Sequence, residues 1–298
     1  MASLRQIRQR MKSIDNIHEI TKAMGMIASF RFKRAENRFS RSRNYSLEMG
    51  KLVANLSAAA RQLDDPLFEK RKIRKKALVV MTGDKGLCGA YNTNLLKEAA
   101  LWMKRDPGVE HVFIPVGKVG NDAFRRKRMP VIASYPEKAM VDLELAKKIN
   151  ADLKALFLNG QVDSIELLYT TYRAGAASRN VIEPYLGLSY LVQKKHELPP
   201  RPPSLIKEGG TGGVDYIYEP DFNTVFLALL YGYLEGKIYM TLLESLTSEC
   251  SARMMAMKQA TDNAEDVLDA LKLLRNKTRQ ATITRELSEI VAGASVLV

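Results

Sequence analysis

Apolar residues recur at steps of three and four along both ends of this chain. Near the start they are Leu4, Ile7, Met11, Ile14, Ile17, Ile20, Met24 and Ile27; near the end, Cys250, Met254, Met257, Ala264, Leu268 and Leu271, with the polar Thr261 on the same stripe. The first set predicts an amphipathic helix, and the second alternates four and three as a coiled-coil seam does. No proline falls in the first 65 residues or the last 78. At a rise of about 1.5 Å per residue, such stretches make rods of roughly 90 to 110 Å, longer than a compact domain is wide. The first helix is expected from Ser3, a good N-cap, to Leu63, where Asp64, Asp65 and Pro66 stop it. The last is expected from Phe222, after Glu219-Pro220-Asp221, almost to the end. Two long helices that each carry a stripe bury it against one another.

Between them the pattern changes. Ala77–Met81 is a short continuous apolar run, as in a strand covered on both faces. His111–Val116, Val131–Tyr135, Ser164–Tyr172 and Asn180–Leu186 read as further strands, the last two around a turn at Arg173–Ser178. Leu95–Arg105, Ala123–Arg128 and Asp142–Leu158 read as helices. Strands alternating with helices predict a mostly parallel sheet with an antiparallel tail. His196–Gly213 holds four prolines and then four glycines, a tether. The expected fold class is therefore an α/β domain inserted between the N- and C-terminal helices of a long antiparallel coiled coil. Its parts are a helix over 1–68, the domain over 77–195, the tether over 196–213 and a helix over 214–298.

Charge adds a location. Residues 1–76 carry 19 basic and 7 acidic side chains, +12 of the net +13. A basic first helix, dense in Arg and Lys from Arg31 to Arg43, expects an acidic partner, either nucleic acid, anionic lipid or an acidic protein surface. Cys88 and Cys250 form no disulfide framework, and His18, His111 and His196 have no metal-ligand spacing. The longest apolar run, Val225–Leu234, is too short to span a bilayer.

Candidate chemistry is sparse. Gly83-Asp84-Lys85-Gly86-Leu87-Cys88-Gly89 joins a strand to a helix, a place that can cradle phosphate. Its GxxGxxG spacing fits neither a dinucleotide loop nor a P-loop, so a tight turn with positive φ is the plainer expectation. Asp84 and Cys88 share the loop, but no histidine presents itself as a base. Nucleotide or nucleic-acid binding remains the alternative function, with Phe30, Phe32, Phe39 and Tyr45 as the only aromatics near the basic stretch. The C-terminus is unusual for an exposed rod end: from Ile290 to Val298 no side chain is charged. Arg275, Lys277, Arg279, Gln280, Arg285 and Glu286 precede it. An uncharged tip behind a polar collar predicts insertion into a partner.

The opening Ser3-Leu4-Arg5-Gln6-Ile7-Arg8-Gln9-Arg10-Met11-Lys12-Ser13 and Ile20-Thr21-Lys22-Ala23-Met24 resembles that of the gamma subunit of rotary (F-type) ATP synthases. So does Gly86-Leu87-Cys88-Gly89 with Tyr91-Asn92, and Tyr216–Asp221 before the last helix. The C-terminal set is the most specific: Ser248-Glu249, Ala252–Met257, Ala260–Ala264 and Asn276–Ile290. The resemblance covers essentially the whole chain. It implies a rotor shaft without catalytic residues or cofactors. Its partners would be the alpha and beta subunits of the catalytic head, the epsilon subunit and the membrane c-ring, with no nucleic acid. It also implies a peripheral membrane protein on the cytoplasmic face of a bacterial membrane. By resemblance Met24, Arg253, Arg279, Gln280, Thr284 and Glu286 contact the head or couple to it. Ile290, Val291, Ala294, Val296 and Leu297 form the bearing tip, and Asp215, Tyr216, Tyr218, Glu219 and Pro220 belong to the foot near the membrane ring and epsilon. Gly25, Arg285 and the bulky Ser29–Phe32 depart from the family pattern, and no regulatory cysteine pair is present.

Overall fold

The computed structural model describes residues 3–57, 66–67, 71–136, 141–173, 178–187, 219 and 221–295. In chain order the elements are α1 (Leu4–Ser57), β1 (Lys75–Met81), α2 (Tyr91–Met103), β2 (Glu110–Val116), α3 (Lys118–Arg126), α4 (Leu143–Leu158), β3 (Ser164–Thr171), β4 (Arg179–Leu186) and α5 (Phe222–Ser295). They form two compact units. The first holds Met1–Lys33, Leu87–Gly89 and Cys250–Val298; the second holds Arg34–Gly86 and Ala90–Glu249. Each long helix contributes residues to both.

In the second unit four strands lie in the order β2-β1-β3-β4. β1 is parallel to both neighbours, and β3–β4 is antiparallel, the mixed sheet expected from the sequence. Every residue of Ala77–Met81 is buried. The strand's period of two explains why. Ala77, Val79 and Met81 face a core shared with Ile149, Leu153 and Phe157 of α4, Phe39 and Val53 of α1, and Phe226, Leu230, Leu234 and Ile238 of α5. Leu78 pairs with Phe113, whose ring meets Trp102 of α2 and stacks on Phe124 of α3 at 4.8 Å. The sheet is thus covered on both faces. Arg38 of the basic stretch donates to Val141 O at 2.6 Å and to the Tyr239 hydroxyl at 3.1 Å, so part of that charge serves the fold.

Caps set the helix starts. Ser3 and Gln6 form a reciprocal box, Ser3 N to Gln6 Oε1 at 3.0 Å and Gln6 N to Ser3 Oγ at 3.3 Å. Asp142 accepts from Leu145 N at 2.8 Å to open α4, and Asp221 accepts from Thr224 N at 2.9 Å to open α5. The Thr224 amide and hydroxyl hold the Asp221 carboxyl below its ordinary range.

Several expectations are adjusted. Val131–Tyr135 runs parallel beside β2 but forms only isolated bridges, Phe113 to Val131 and Val116 to Tyr135. Phe113 N donates to Pro130 O, and Tyr135 N to Pro115 O. Pro115 lacks the N–H that would continue the ladder on that side, so pairing breaks and slips by one residue. The helix expected at Ala123–Arg128 begins earlier, at Lys118, and the one expected at Leu95–Arg105 begins at Tyr91. The expected end of α1 at Leu63, most of the turn at Arg173–Ser178 and the whole tether lie outside the described residues.

The first unit is an antiparallel helix pair. Thr261 Oγ1 donates to Thr21 Oγ1 at 2.9 Å, and a Cβ on Gly25 would lie 3.6 Å from Met257 Cβ. Residue numbers that rise along α1 therefore fall along α5, with paired numbers summing to about 282. The α5 seam is as read from the sequence: Cys250, Met257, Ala264 and Leu268 are buried, and Met254, Thr261 and Leu271 are half-buried. The α1 seam is not. Its inward positions are Leu4, Ile7, Met11, Ile14, His18, Thr21, Gly25 and Ala28, while Ile17, Ile20 and Ile27 are 48%, 59% and 58% exposed. From Ile14 the steps to Ile17 and Ile20 are both three, and each such step turns the stripe back by about 60°. A facing helix follows only an alternating three–four seam.

Gly25 thus sits in the seam of a helix, where it costs about 1 kcal/mol against alanine. The 3.6 Å contact is ordinary van der Waals distance. Gly25→Ala is expected to raise the thermal midpoint of the chain; a lowered midpoint would show that the Met257 contact has no room for a methyl group.

Candidate functional site

The seam determines where the paired part of α5 ends. Leu4 of α1 lies opposite Thr278, the last half-buried position of α5. From Arg279 to Val291 every described side chain is exposed. Arg279, Gln280, Thr284 and Glu286 all fall in this overhang. Arg285 pairs with Glu289 at 3.1 Å, and Thr282 and Ser288 donate back to the carbonyls of Thr278 and Thr284 at 2.9 Å each. Their hydroxyls are occupied by the helix itself.

An apolar stripe runs along the same overhang. Ile283, Leu287 and Ile290, at steps of four and three, lie on one side with Val291 beside them, and all are exposed. Four large apolar side chains at helical spacing, with Arg285, Glu286 and Glu289 among them, make a surface suited to an apolar sleeve with a polar rim. Ala294 is helical, but its side chain is not described; Val296 and Leu297 lie outside the described residues, so the uncharged end is described only in part. The four-residue spacing of Ile283 and Leu287 is the signal of this stripe in the sequence.

Met24 and Arg253 are both half-buried flanks of the seam. The register places Met24 level with Lys258, about one and a half helical turns from Arg253 along the pair. The structure therefore brings these two into one neighbourhood of the helix pair. Of the foot residues, Asp215, Tyr216, Tyr218 and Pro220 lie outside the described residues; Glu219 is an exposed bend just before α5.

The glycine-bearing turn is built for closeness, not for an open cradle. Gly83 N donates to Asn92 Oδ1 at 2.9 Å. A Cβ on Gly83 would lie 2.7 Å from the Glu249 carboxylate, so an acid already covers the first glycine. Lys118 N donates to Asp84 Oδ1 at 3.3 Å. Positive φ occurs at Leu87 and Gly89, not at Gly83 or Gly86 as a phosphate loop's opening would suggest. A carboxylate at this distance repels a phosphate. In the sheet unit a cleft of about 540 Å³ is lined by Arg43, Tyr169, Tyr172, Glu183, Lys237 and Glu244 among others. Two of its charges are paired: Lys237 lies 3.4 Å from Glu183 and also donates to Pro184 O at 2.9 Å. Burial pushes the Lys237 ammonium down and the Glu244 carboxyl up.

A family model described as ATP synthase matches residues 3–297. The chain is 36% identical over 303 residues to the ATP synthase gamma chain of Polynucleobacter asymbioticus, and 36% identical over 304 residues to that of Cupriavidus necator. In both cases 100% of each chain is covered. Among solved structures, a chain of the Euglena gracilis mitochondrial ATP synthase, in an assembly of OSCP, F1 and c-ring, superposes with a TM-score of 0.71 at 18% identity. It covers 99% of this chain and 94% of that one. A chain from the central stalk and c-ring of the Tetrahymena thermophila mitochondrial ATP synthase superposes with a TM-score of 0.60 at 23% identity, covering 81% and 99%. At these identities the structures speak to the fold.

Proposed function

The chain belongs to the ATP synthase gamma-chain family, and from that premise we propose that it is the non-catalytic central rotor of the complex, the shaft that links the membrane ring to the catalytic head. One observation carries this reading: α5 outruns its partner helix and presents Ile283, Leu287, Ile290 and Val291 to solvent beside Arg279, Gln280 and Glu286. An exposed apolar stripe of this kind marks an interaction surface. The alpha and beta subunits of the head are the proposed surroundings. Arg279, Gln280, Thr284 and Glu286 are the proposed collar, and Met24 and Arg253 a second coupling contact. An asymmetric pair of helices at the centre of a ring biases each surrounding subunit differently as it turns, a rigid-body switch of the interface.

The Euglena and Tetrahymena chains come from assemblies containing a c-ring, and the same kind of ring is proposed here as the partner at the other end, through Asp215, Tyr216, Tyr218, Glu219 and Pro220, together with an epsilon subunit. No helix among the described residues is long and apolar enough to cross a membrane. The proposed location is therefore peripheral, on the cytoplasmic face of a bacterial membrane, held by the ring. The basic first helix supplies the charge that an acidic surface of the head would meet.

Co-expression tests the proposal. The chain is expected to co-purify with alpha and beta subunits in a head whose ATP turnover drives proton movement only when the chain is present. It is expected to bind no ATP alone at moderate salt. A head that couples fully without it, or saturable ATP binding by the isolated chain, would overturn the reading.

A further inference from the structure

Along α5 the residues facing the sheet change character. Phe226, Leu230, Leu234, Ile238 and Leu242 bury apolar rows. Thr241, Ser245, Thr247, Ser248 and Glu249, all buried, then follow as a polar run. This is the last stretch of α5 in the sheet unit. Thr241 and Thr247 donate to their own helix, to Lys237 O and Leu243 O at 2.8 Å each. Ser245, Ser248 and the neighbouring Glu244 reach across. The Tyr91 hydroxyl lies 2.8 Å from Ser245 Oγ and 3.0 Å from Ser245 O, and Ser245 Oγ donates to Met81 O at 3.3 Å. Ser248 Oγ donates to Thr170 O at 3.0 Å, and Glu244 Oε1 accepts from Tyr172 N at 3.0 Å. The acceptors and donors on the sheet side belong to the ends of β1 and β3 and the start of α2.

We propose that Tyr91, Ser245 and Ser248 form a torsional lock that fixes the roll of α5 about its own axis against the ends of β1 and β3, and so positions the shaft helix for torque transfer. The proposal rests on the rotor reading and names the residues through which the sheet holds its own stretch of α5. The apolar rows hold α5 by close packing, which is not directional. Hydrogen bonds to fixed backbone carbonyls add a directional constraint on roll. Rolling α5 by about 20° carries atoms at its side-chain radius of roughly 5 Å through about 2 Å. That breaks a bond whose useful range is a few tenths of an ångström. The cross-links spread over Glu244, Ser245 and Ser248, on adjacent turns of one helix face and with partners on three elements. Tyr91 opens α2, and its hydroxyl is buried between the strand end and the helix. A surface tyrosine or serine would make none of these contacts.

The experiment uses the assembled complex, with a bead attached through Lys127→Cys in the sheet unit; Lys127 is exposed, and both native cysteines are buried. The angle of the stalled rotor is recorded for wild type, Tyr91→Phe, Ser248→Ala and the double variant. Tyr91→Phe keeps the ring and removes only the bridging hydroxyl. With two parallel cross-links gone, the double variant is expected to widen the angular variance about twofold, each single variant less, with unloaded ATP hydrolysis unchanged. The thermal midpoint of each chain alone reports any purely structural loss separately. Wild-type variance in both single variants, or in the double, overturns the lock while leaving the rotor reading intact. A wild-type bead that does not rotate at all with ATP overturns the rotor reading and the lock with it.

Discussion

Replacing Arg279 and Gln280 together by alanine is expected to remove most coupled ATP turnover from the assembled synthase while leaving the chain folded. Both side chains are exposed in the part of α5 that has no partner helix. Exposed helix positions tolerate alanine within about 0.5 kcal/mol, and alanine is the best helix former, so the isolated chain should keep its thermal midpoint. In the complex the positions differ. An arginine anchoring an interface commonly costs about 2 kcal/mol or more when truncated, roughly thirtyfold in the affected equilibrium. The glutamine adds to it if both meet the same partner. Coupled ATP synthesis is therefore expected to fall by at least about tenfold. ATP hydrolysis and proton movement would be measured on the same vesicles, alongside Lys272→Ala, another exposed α5 position that pairs with Asp269 at 2.7 Å within the helix. Normal turnover and pumping in the double variant would remove these residues from the collar, and a loss of folding would assign them a structural role instead.

The largest expected effect on stability lies elsewhere, at Gly117. This residue precedes α3 with φ 98° and ψ 146°. A Cβ there would lie 2.3 Å from Thr82 O and 2.8 Å from Thr82 C. Those are backbone atoms at the end of β1, and Thr82 N donates to Val116 O at 2.8 Å, so the neighbour cannot move aside without breaking the sheet. Two penalties combine in Gly117→Ala. The backbone conformation costs an L-residue about 1–3 kcal/mol, and the clash adds about 1–3 kcal/mol of overpacking. Together they take about 4 kcal/mol from a protein whose total stability is of order 5–15 kcal/mol. Denaturant unfolding should show a much lower midpoint, or no folded protein at all. Gly236→Ala is the matched control, because nothing lies within 4 Å of a Cβ there and the helix gains. Equal midpoints for Gly117→Ala and wild type would sink this account of the turn.

The candidate site was legible where it depended on local grammar. The missing charges after Glu289 and the polar residues before them both follow from order along one helix. What the sequence did not reveal was the stripe of Ile283 and Leu287, because a stripe is recognised as unpartnered only once the partner's end is located. The polar run from Thr241 to Glu249 was equally visible as letters, but hydroxyl side chains in a helix most often bond to their own backbone, as Thr241 and Thr247 do. Nothing in the letters marked Ser245 and Ser248 as different.

At the glycine-bearing turn the spacing argues against a nucleotide loop, and the stronger physical reason is tertiary: Glu249, more than 160 positions away, packs on Gly83. Likewise Pro115 fits a strand by its neighbours, and only the adjacent segment shows its consequence, a broken ladder along Val131–Tyr135.

By itself the sequence determined the elements of this protein: two long helices, a buried β1, a mostly parallel sheet with an antiparallel tail, and the α5 seam. The helices are written in a spacing of three and four, and β1 in a continuous apolar run, patterns that can be read locally even though packing supplies most of their stability. Tertiary structure alone decided which α1 stripe is buried. The apolar Ile17, Ile20 and Ile27 stay in solvent while His18, Thr21, Gly25 and Ala28 turn inward. A helix offers several faces of similar hydrophobicity, and only the geometry of a partner running in continuous register selects among them.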